Sequence, residues 1–421
     1  MIDRSVAPKF VPIKDVHLQE VVSQELQNGI KLHAISAGNQ PVLNLQLIFK
    51  AGKWYEEKPG TAFLLSKLML EGTKSYSAKQ INNFFDSHGI FWEISSGFDH
   101  LTIDIYLLSK YLHKISDILI SILSEAVLPE SEFASIKKRV RQQMSVNFKK
   151  TAYVANINFR DKLFGKGHPY GYKLSADLLD SVQYQDIVAY YDSHIKQKSF
   201  EIIASGLIDN DLFSKMTAEF DIMTLQSIIT PNSPNDIKSR FGVFHDDWKE
   251  SLQTSIRIGQ VAPEKNSKDA LSFELLNRIL GGYFGSRLMR NLREEKGLTY
   301  GIQSSIVYLV KHAYNIIATD VVKEKKDFAI EEIYKEIKQL TTQRVPEDEL
   351  AVVKSYVVGS FIKSINSPFS LSQYFKTVHF HGLNKDYFNN YVSEIHKISA
   401  DHILETAKKY FDREYLEIAI G

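Results

Sequence analysis

The chain repeats itself, and this repeat most narrows what it can fold into. "LPESEFASIKKRV" runs through Pro129, and "VPEDELAVVKSYV" runs through Pro346, 217 positions later. Both are Pro-Glu-x-Glu-apolar leading into a helical pattern. Pro suits the first helical turn, and acids suit its positive end. "SHGIFWEISSGF" near Gly89 is matched by "EKGLTYGIQSSI" near Gly297, at an offset of 208. Each is a glycine stop, a β-rich run and Ser-Ser. Two motif pairs in one order at similar spacing imply a tandem duplication.

The expected organisation is an N-terminal half over 1–220, a linker over 221–242 and a C-terminal half over 243–421. "TPNSPNDIKSR", Thr230 to Arg240, carries two prolines and several turn formers. Each half mixes two periods. "LNLQLIFKAG" and "HLTIDIYLL" alternate as strands do, while "LHKISDILISILSEA" and "KDFAIEEIYKEIKQL" repeat at helical spacing. Adjacent strands separated by helix pairs predict an α+β class: two homologous halves, each an antiparallel-rich sheet packed with helices.

Composition removes several functions. The 421 residues carry a net charge of +1, so no global field recruits nucleic acid or an anionic membrane. There is no Cys, hence no disulfide, thiolate metal site or Cys nucleophile. The N-terminus has no apolar signal core, and no run is long enough to span a membrane. The chain reads as cytoplasmic; an export signal removed upstream would leave the same sequence, so the periplasm stays open.

Several segments together resemble the pitrilysin/insulinase (inverzincin) family of zinc peptidases, in its short, processing-peptidase-like branch. They are "AGKWYEEKPGTAFLLSKLMLEGTKSYSA", "DSHGIFWEISSGFDHLTIDIYLLS", "LPESEF", "GKGHPYGY", "LGGYFGSRLMRNLREEKGLTYGI" and "GLNKDYFNNYVSEIHKISADHI". Their order and spacing carry the likeness along nearly the whole chain. The resemblance implies the LuxS/processing-peptidase-like metallopeptidase fold.

Active members of that family carry H-x-x-E-H on a helix, with two His binding zinc and the Glu activating water. Aligned on Gly60 and Gly72-Thr73, the His positions fall on Phe63 and Lys67 and the Glu on Ser66. The family's third ligand, a Glu on a later helix, falls at Gln142 or Gln143. A phenyl ring offers no ligand atom, an ammonium repels a dication, and Ser is a poor general base. The frame of a zinc helix is kept and every metal-handling group is missing. No metal or cofactor is therefore expected in this chain, and zinc only in a partner. Phe63 is expected to pack in the core, with Lys67 reaching water.

The C-terminal motif stands differently. Active relatives use an Arg and a Tyr there to hold the substrate backbone and stabilise the oxyanion, and these match Arg293 and Tyr300. The resemblance thus implies a subunit inactive alone. It would bind unfolded peptides by strand addition and support metalloendopeptidase hydrolysis by lending Arg293 and Tyr300 in trans to a zinc-bearing paralogue. A homodimer is a further possible partner. The alternative is a structural scaffold subunit with no role in proteolysis.

Other motifs read as structural. His379 and His381 fall at a helix end stopped by Gly382, where i and i+2 diverge. His168 belongs to a turn, and His245-Asp246-Asp247 to an acidic loop. The basic run Lys137 to Lys150 lacks interleaved aromatics and reads as a charged helix face rather than a nucleic-acid site. "LGGYFGS" lacks the Lys-Ser/Thr of a phosphate loop.

Overall fold

The structure, a computed structural model, describes residue 13 and residues 16–226, 237 and 241–421. Most of the expected linker segment Thr230 to Arg240 thus lies outside the described residues. Two sheets organise the rest. The first comprises β1 (Val21–Glu25), β2 (Lys31–Ser36), β3 (Val42–Phe49), β4 (Phe91–Ser96), β5 (Leu101–Leu108) and β6 (Glu201–Gly206). Its order is β1-β2-β6-β3-β5-β4. The second comprises β7 (Gly242–Asp246), β8 (Gln253–Ala262), β9 (Ile302–Tyr308), β10 (Ala313–Val322) and β11 (Leu416–Ile420). Its order is β7-β11-β8-β10-β9.

Without β1, the two orders superimpose term by term. Even the parallel pair recurs: β2 with β6 in one sheet, β7 with β11 in the other, all other pairs being antiparallel. The helices repeat too. Glu130–Asn147 and Glu347–Ser364 begin 217 residues apart, as do Thr151–Phe164 and Pro368–Phe380. Pro129 and Pro346 occupy the N-caps of the first pair. The expected α+β class with two like halves is what the chain adopts.

Each sheet has its own apolar core. One gathers Leu45, Leu65, Ile103, Leu119 and Phe220; the other Ile258, Leu276, Leu292, Ile333 and Ile403. The halves also exchange helices. Thr151–Phe164 lies across β8 and β11 of the second sheet, where Phe159 and Phe164 pack with Ile418 and Ile420. Gly259 of β8 makes this close approach possible, because a Cβ there would stand 2.8 Å from the Phe159 ring. Reciprocally, Pro368–Phe380 lies across β2 and β6, where Leu371, Phe375 and Phe380 cover Ile35, Ile48 and Ile203.

His168 is a turn residue as expected, buried, with its carbonyl accepting from Gly171 and Tyr172. His245 is not in a loop. It ends up on β7, its Nε2 2.7 Å from Glu417 on β11, because the preceding Gly-Val-Phe extends the strand through it. Among the described residues no helix is long and apolar enough to cross a membrane.

Candidate functional site

The helix at issue is Thr61–Leu68. Gly60 opens it at φ 100°, in the left-handed region where glycine carries no penalty. Glu56 then caps it, its carboxylate accepting from the Gly60 and Ala62 amides at 3.0 and 2.8 Å and from the Tyr172 hydroxyl at 2.9 Å. Leu64, Leu65 and Leu68 bury one face in the first core. The helix packs against Glu130–Asn147 and against β4.

Phe63 and Lys67 share the other face, one turn apart. Phe63 is half-buried and stands outside the described core clusters, contrary to expectation. Its face of the helix is turned from the core, and the Lys67 ammonium lies 5.8 Å from its ring centre instead of reaching fully into water. Ser66 is fully buried, and its hydroxyl donates to the Phe63 carbonyl at 2.8 Å. Gln142 and Gln143 are exposed on the neighbouring helix, with Gln143 donating to Asn147 at 3.3 Å. A divalent metal does not fit here. The two facing positions offer a hydrocarbon ring and a cation, and the nearest hydroxyl is spent on its own helix.

Arg293 and Tyr300 are built on other supports. Arg293 sits in a π-helical turn, Met289–Glu295, a rare, wide-wound form that is frequent at functional sites. Leu288, Met289 and Leu292 root this turn in the second core. Beneath it Asn291 is buried and donates to Glu332 at 2.9 Å and Glu336 at 2.7 Å, while Lys296 reaches Glu332 at 2.9 Å and also the Asn291 side-chain oxygen. Gly297, at φ 59°, reverses the chain, and Thr299 ties the following loop to the Gly301 and Asp320 carbonyls, both at 2.9 Å. The segment is thus clamped from below, and the two side chains are left outside.

Arg293 lies over the Phe284 ring at 5.2 Å, and Tyr300 is 92% exposed. Tyr300 makes no hydrogen bond with the described residues. Arg293 and Tyr300 are both exposed on the second half. Phe284, under Arg293, and Gly301, next to Tyr300 in the chain, help line a cleft of about 470 Å³ with Arg257, Tyr283, Gln303 and Thr319 among others. The Gly281-Gly282 pair in its wall serves packing, since a Cβ on Gly281 would meet Ser304 at 2.8 Å. Arg287, next to this wall, forms a two-pronged ion pair with Glu349 at 2.9 and 2.7 Å. This pair joins the Gly-Ser-Arg-Leu motif to the Pro-Glu-Asp-Glu-Leu repeat, a contact that neither motif announces alone.

The sheets end in equivalent edges. β4 pairs with β5 alone and β9 with β10 alone among the described strands. The Thr61–Leu68 helix abuts β4, and the π-helical turn abuts β9.

His379 and His381 diverge as read from the sequence: the helix ends at Phe380, and the His381 ring bonds back to the Thr377 carbonyl. His379, however, meets His33 and Glu201 of the first sheet. Nothing local in the sequence marks that meeting, since Glu201 stands 168 residues from His33 and 178 from His379.

Two like α+β halves, with sheets of the same strand order and each covered by a helix of the other, define a metallopeptidase-fold protein without the metal motif. No H-x-x-E-H occurs anywhere in the chain. The sequence pattern described as Insulinase (Peptidase family M16) matches residues 33–168, and that of the Peptidase M16 inactive domain matches residues 181–357. The chain belongs to peptidase family M16. It is 23% identical over 410 residues to an uncharacterized zinc protease of Rickettsia felis, covering 94% of this chain and 96% of that one. It is 20% identical over 390 residues to the "Non-peptidase homolog YmxG" of Helicobacter pylori, covering 90% and 89%. A solved peptidase M16 inactive domain from Pseudomonas fluorescens shares the fold at TM-score 0.87 and 19% identity, over 95% of this chain and 98% of that one.

Proposed function

We propose that this chain is the non-catalytic subunit of a two-subunit peptidase of the family, holding unfolded peptide for a zinc-bearing paralogue. The observation that carries this reading is the contrast between the two sites. Every metal-handling position on the first half is chemically wrong, while Arg293 and Tyr300 stand presented on a clamped π-turn. A solvent-facing phenol, and an exposed guanidinium over an exposed Phe ring, are idle in an isolated chain. Both are donors suited to a peptide carbonyl that gains negative charge.

The unpaired edges of β4 and β9 suit a substrate that binds as an added strand, with main-chain bonds giving affinity and little sequence preference. A peptide along β9 runs past the Arg293 turn. A peptide along β4 runs past Phe63 and Lys67, where the family's metal would act and this chain has none.

The test is reconstitution with a zinc-bearing paralogue from the same genome. Tyr300→Phe removes one exposed hydroxyl, so assembly by size exclusion is expected to be unchanged. Peptide turnover is expected to fall by about a hundred- to a thousand-fold, the loss typical of an oxyanion donor. Arg293→Ala is expected to lower turnover and weaken peptide binding. If both variants assemble and cleave at the wild-type rate, the pair has no catalytic role, and the scaffold reading replaces this one.

A further inference from the structure

The face of the first sheet under the Pro368–Phe380 helix carries Ile35, Ile48 and Ile203, with Asn44 and Gln46 bonded to Asp104 on one side and a separate polar group toward the Lys31–Glu201 end of the β2–β6 ladder. There His33 of β2, Glu201 of β6 and His379 of the helix converge. One ligand atom from each lies within 4.8 Å of the others. Both imidazoles aim Nε2 at the same Glu201 oxygen, at 3.4 Å from His33 and 2.5 Å from His379. His33 is 5% exposed, and its Nδ1 is 2.7 Å from the Ser23 hydroxyl, which fixes the ring and leaves Nε2 facing the group. Phe375 stacks on His379 at 5.5 Å and meets His33 at 4.9 Å with its ring tilted, and Phe380 packs edge-on to His379 at 4.9 Å.

The repeat supplies a control within the same chain. In the second half the Thr151–Phe164 helix covers the equivalent face. In the parallel ladder, Glu201 is in the first pair and His33 in the third, and the matching residues are Leu416 and Phe244. The 217-residue helix offset maps His379 onto Lys162, whose ammonium lies 4.8 Å from the Phe244 ring centre. Packing a helix on this face therefore needs no His, Glu or His. Placing three hydrogen-bonding groups at these positions costs desolvation; the other half puts its buried polar contact elsewhere on the face, Arg257 donating to Asn156 of the covering helix at 2.7 Å.

We propose that His33, Glu201 and His379 form a site for a divalent transition-metal cation of the zinc class, which pins the Pro368–Phe380 helix to the first sheet. Two neutral imidazoles and one carboxylate are a common zinc donor set, leaving a fourth position for water. Tetrahedral ligand atoms about 2.0–2.2 Å from zinc stand roughly 3.4 Å apart. The His33–Glu201 separation already has that value, at 3.4 Å. His379 sits at a helix end and reaches it by backing off less than about an ångström, a side-chain rotation. Ser23 is the outer partner that such a ligand His requires. The site is separate from the Thr61–Leu68 helix, and the proposal does not depend on the peptidase reading.

The full chain is equilibrated with zinc chloride and dialysed against metal-free buffer, and zinc is measured against protein. About one equivalent is expected, with a raised unfolding temperature that chelator reverses. His379→Gln and Glu201→Gln are each expected to lose the metal and the zinc-dependent shift while keeping the wild-type circular dichroism. If His379→Gln fails to fold, Glu201→Gln, near-isosteric and still hydrogen-bonding, decides alone. Ser23→Ala is expected to weaken zinc by about 10–100-fold. Phe63→Ala with Lys67→Ala, and His113→Gln in the exposed His113/Asp117/Glu219 group, are expected to retain it. The proposal is overturned if the wild type keeps no zinc, if Glu201→Gln holds as much as the wild type, or if His113→Gln is the variant that loses it.

Discussion

Asn291 is the side chain on which the presentation of Arg293 rests, and replacing it with Ala tests the clamp. The amide donates to two buried carboxylates, Glu332 at 2.9 Å and Glu336 at 2.7 Å, and accepts from Lys296. Hydrogen bonds to charged groups contribute about 1.5–3 kcal/mol each, so two such bonds set an upper range of about 3–6 kcal/mol. Lys296 remains beside Glu332 and is partly exposed, so part of the loss is recovered. The expected destabilisation is about 2–4 kcal/mol, read as a lower urea midpoint at unchanged slope. The dependence on pH adds a second check. Glu332 is held below its ordinary value of 4.5, chiefly by the Asn291 amide and then by Lys296. A depressed carboxyl stabilises the fold above its unfolded value and loses that contribution as pH falls through the folded one. The gap between wild type and Asn291→Ala is therefore full above pH 4.5 and narrows below it. Asn291→Asp, placing a third carboxylate among two, is expected to be worse than Ala at pH 8 and to recover more on acidification. A midpoint for Asn291→Ala within about 0.5 kcal/mol of wild type, in the range of ordinary surface changes, would refute the reasoning.

Three further outcomes are expected. In a His379→Gln background, the combination Phe63→His, Ser66→Glu, Lys67→His and Gln142→Glu or Gln143→Glu should add about one zinc equivalent to a chain otherwise without it, since the helix frame is intact. Glu274→Gln should cost about 3–5 kcal/mol by leaving the buried Lys265 ammonium without its carboxylate, and adding Lys265→Met should restore part of that in thermal unfolding. A protease site engineered into 230–240 should give two fragments of similar size that elute together and part only in denaturant, because each half carries the other's covering helix; fragments that separate freely would contradict the exchange.

The sequence was legible where the signal is local. Strand alternation marked β3 and β5, helical spacing marked the helices starting at Leu112 and Lys326, and Pro129 and Pro346 marked two helix starts. Positions 63, 66 and 67 were set against the family's motif on Gly60 and Gly72, which bracket them. What stayed hidden is non-local. Phe63 was expected in the core because apolar side chains usually are, but orientation on a helix is decided by which neighbours it packs against. The π-winding at Met289–Glu295 has no signature in residue type. The His33, Glu201 and His379 cluster needs three distant segments brought together by sheet register and helix exchange, and no window along the chain contains them.

The exchange of helices also sets an order on the chain's birth. The first sheet has all its strands once Gly206 is made, yet Ile35, Ile48 and Ile203 wait for Leu371, Phe375 and Phe380 to cover them. About 160 residues separate the two, a delay of roughly 8–32 s at typical rates of synthesis. The helix Thr151–Phe164 faces the reverse difficulty, leaving the ribosome before any strand it covers exists. Each half is born with a greasy surface addressed to the other. A nascent chain stalled after its first half exposes the sheet face of Ile35, Ile48 and Ile203 to its neighbours on the polysome, a hazard of misassembly that the finished form no longer carries at that face.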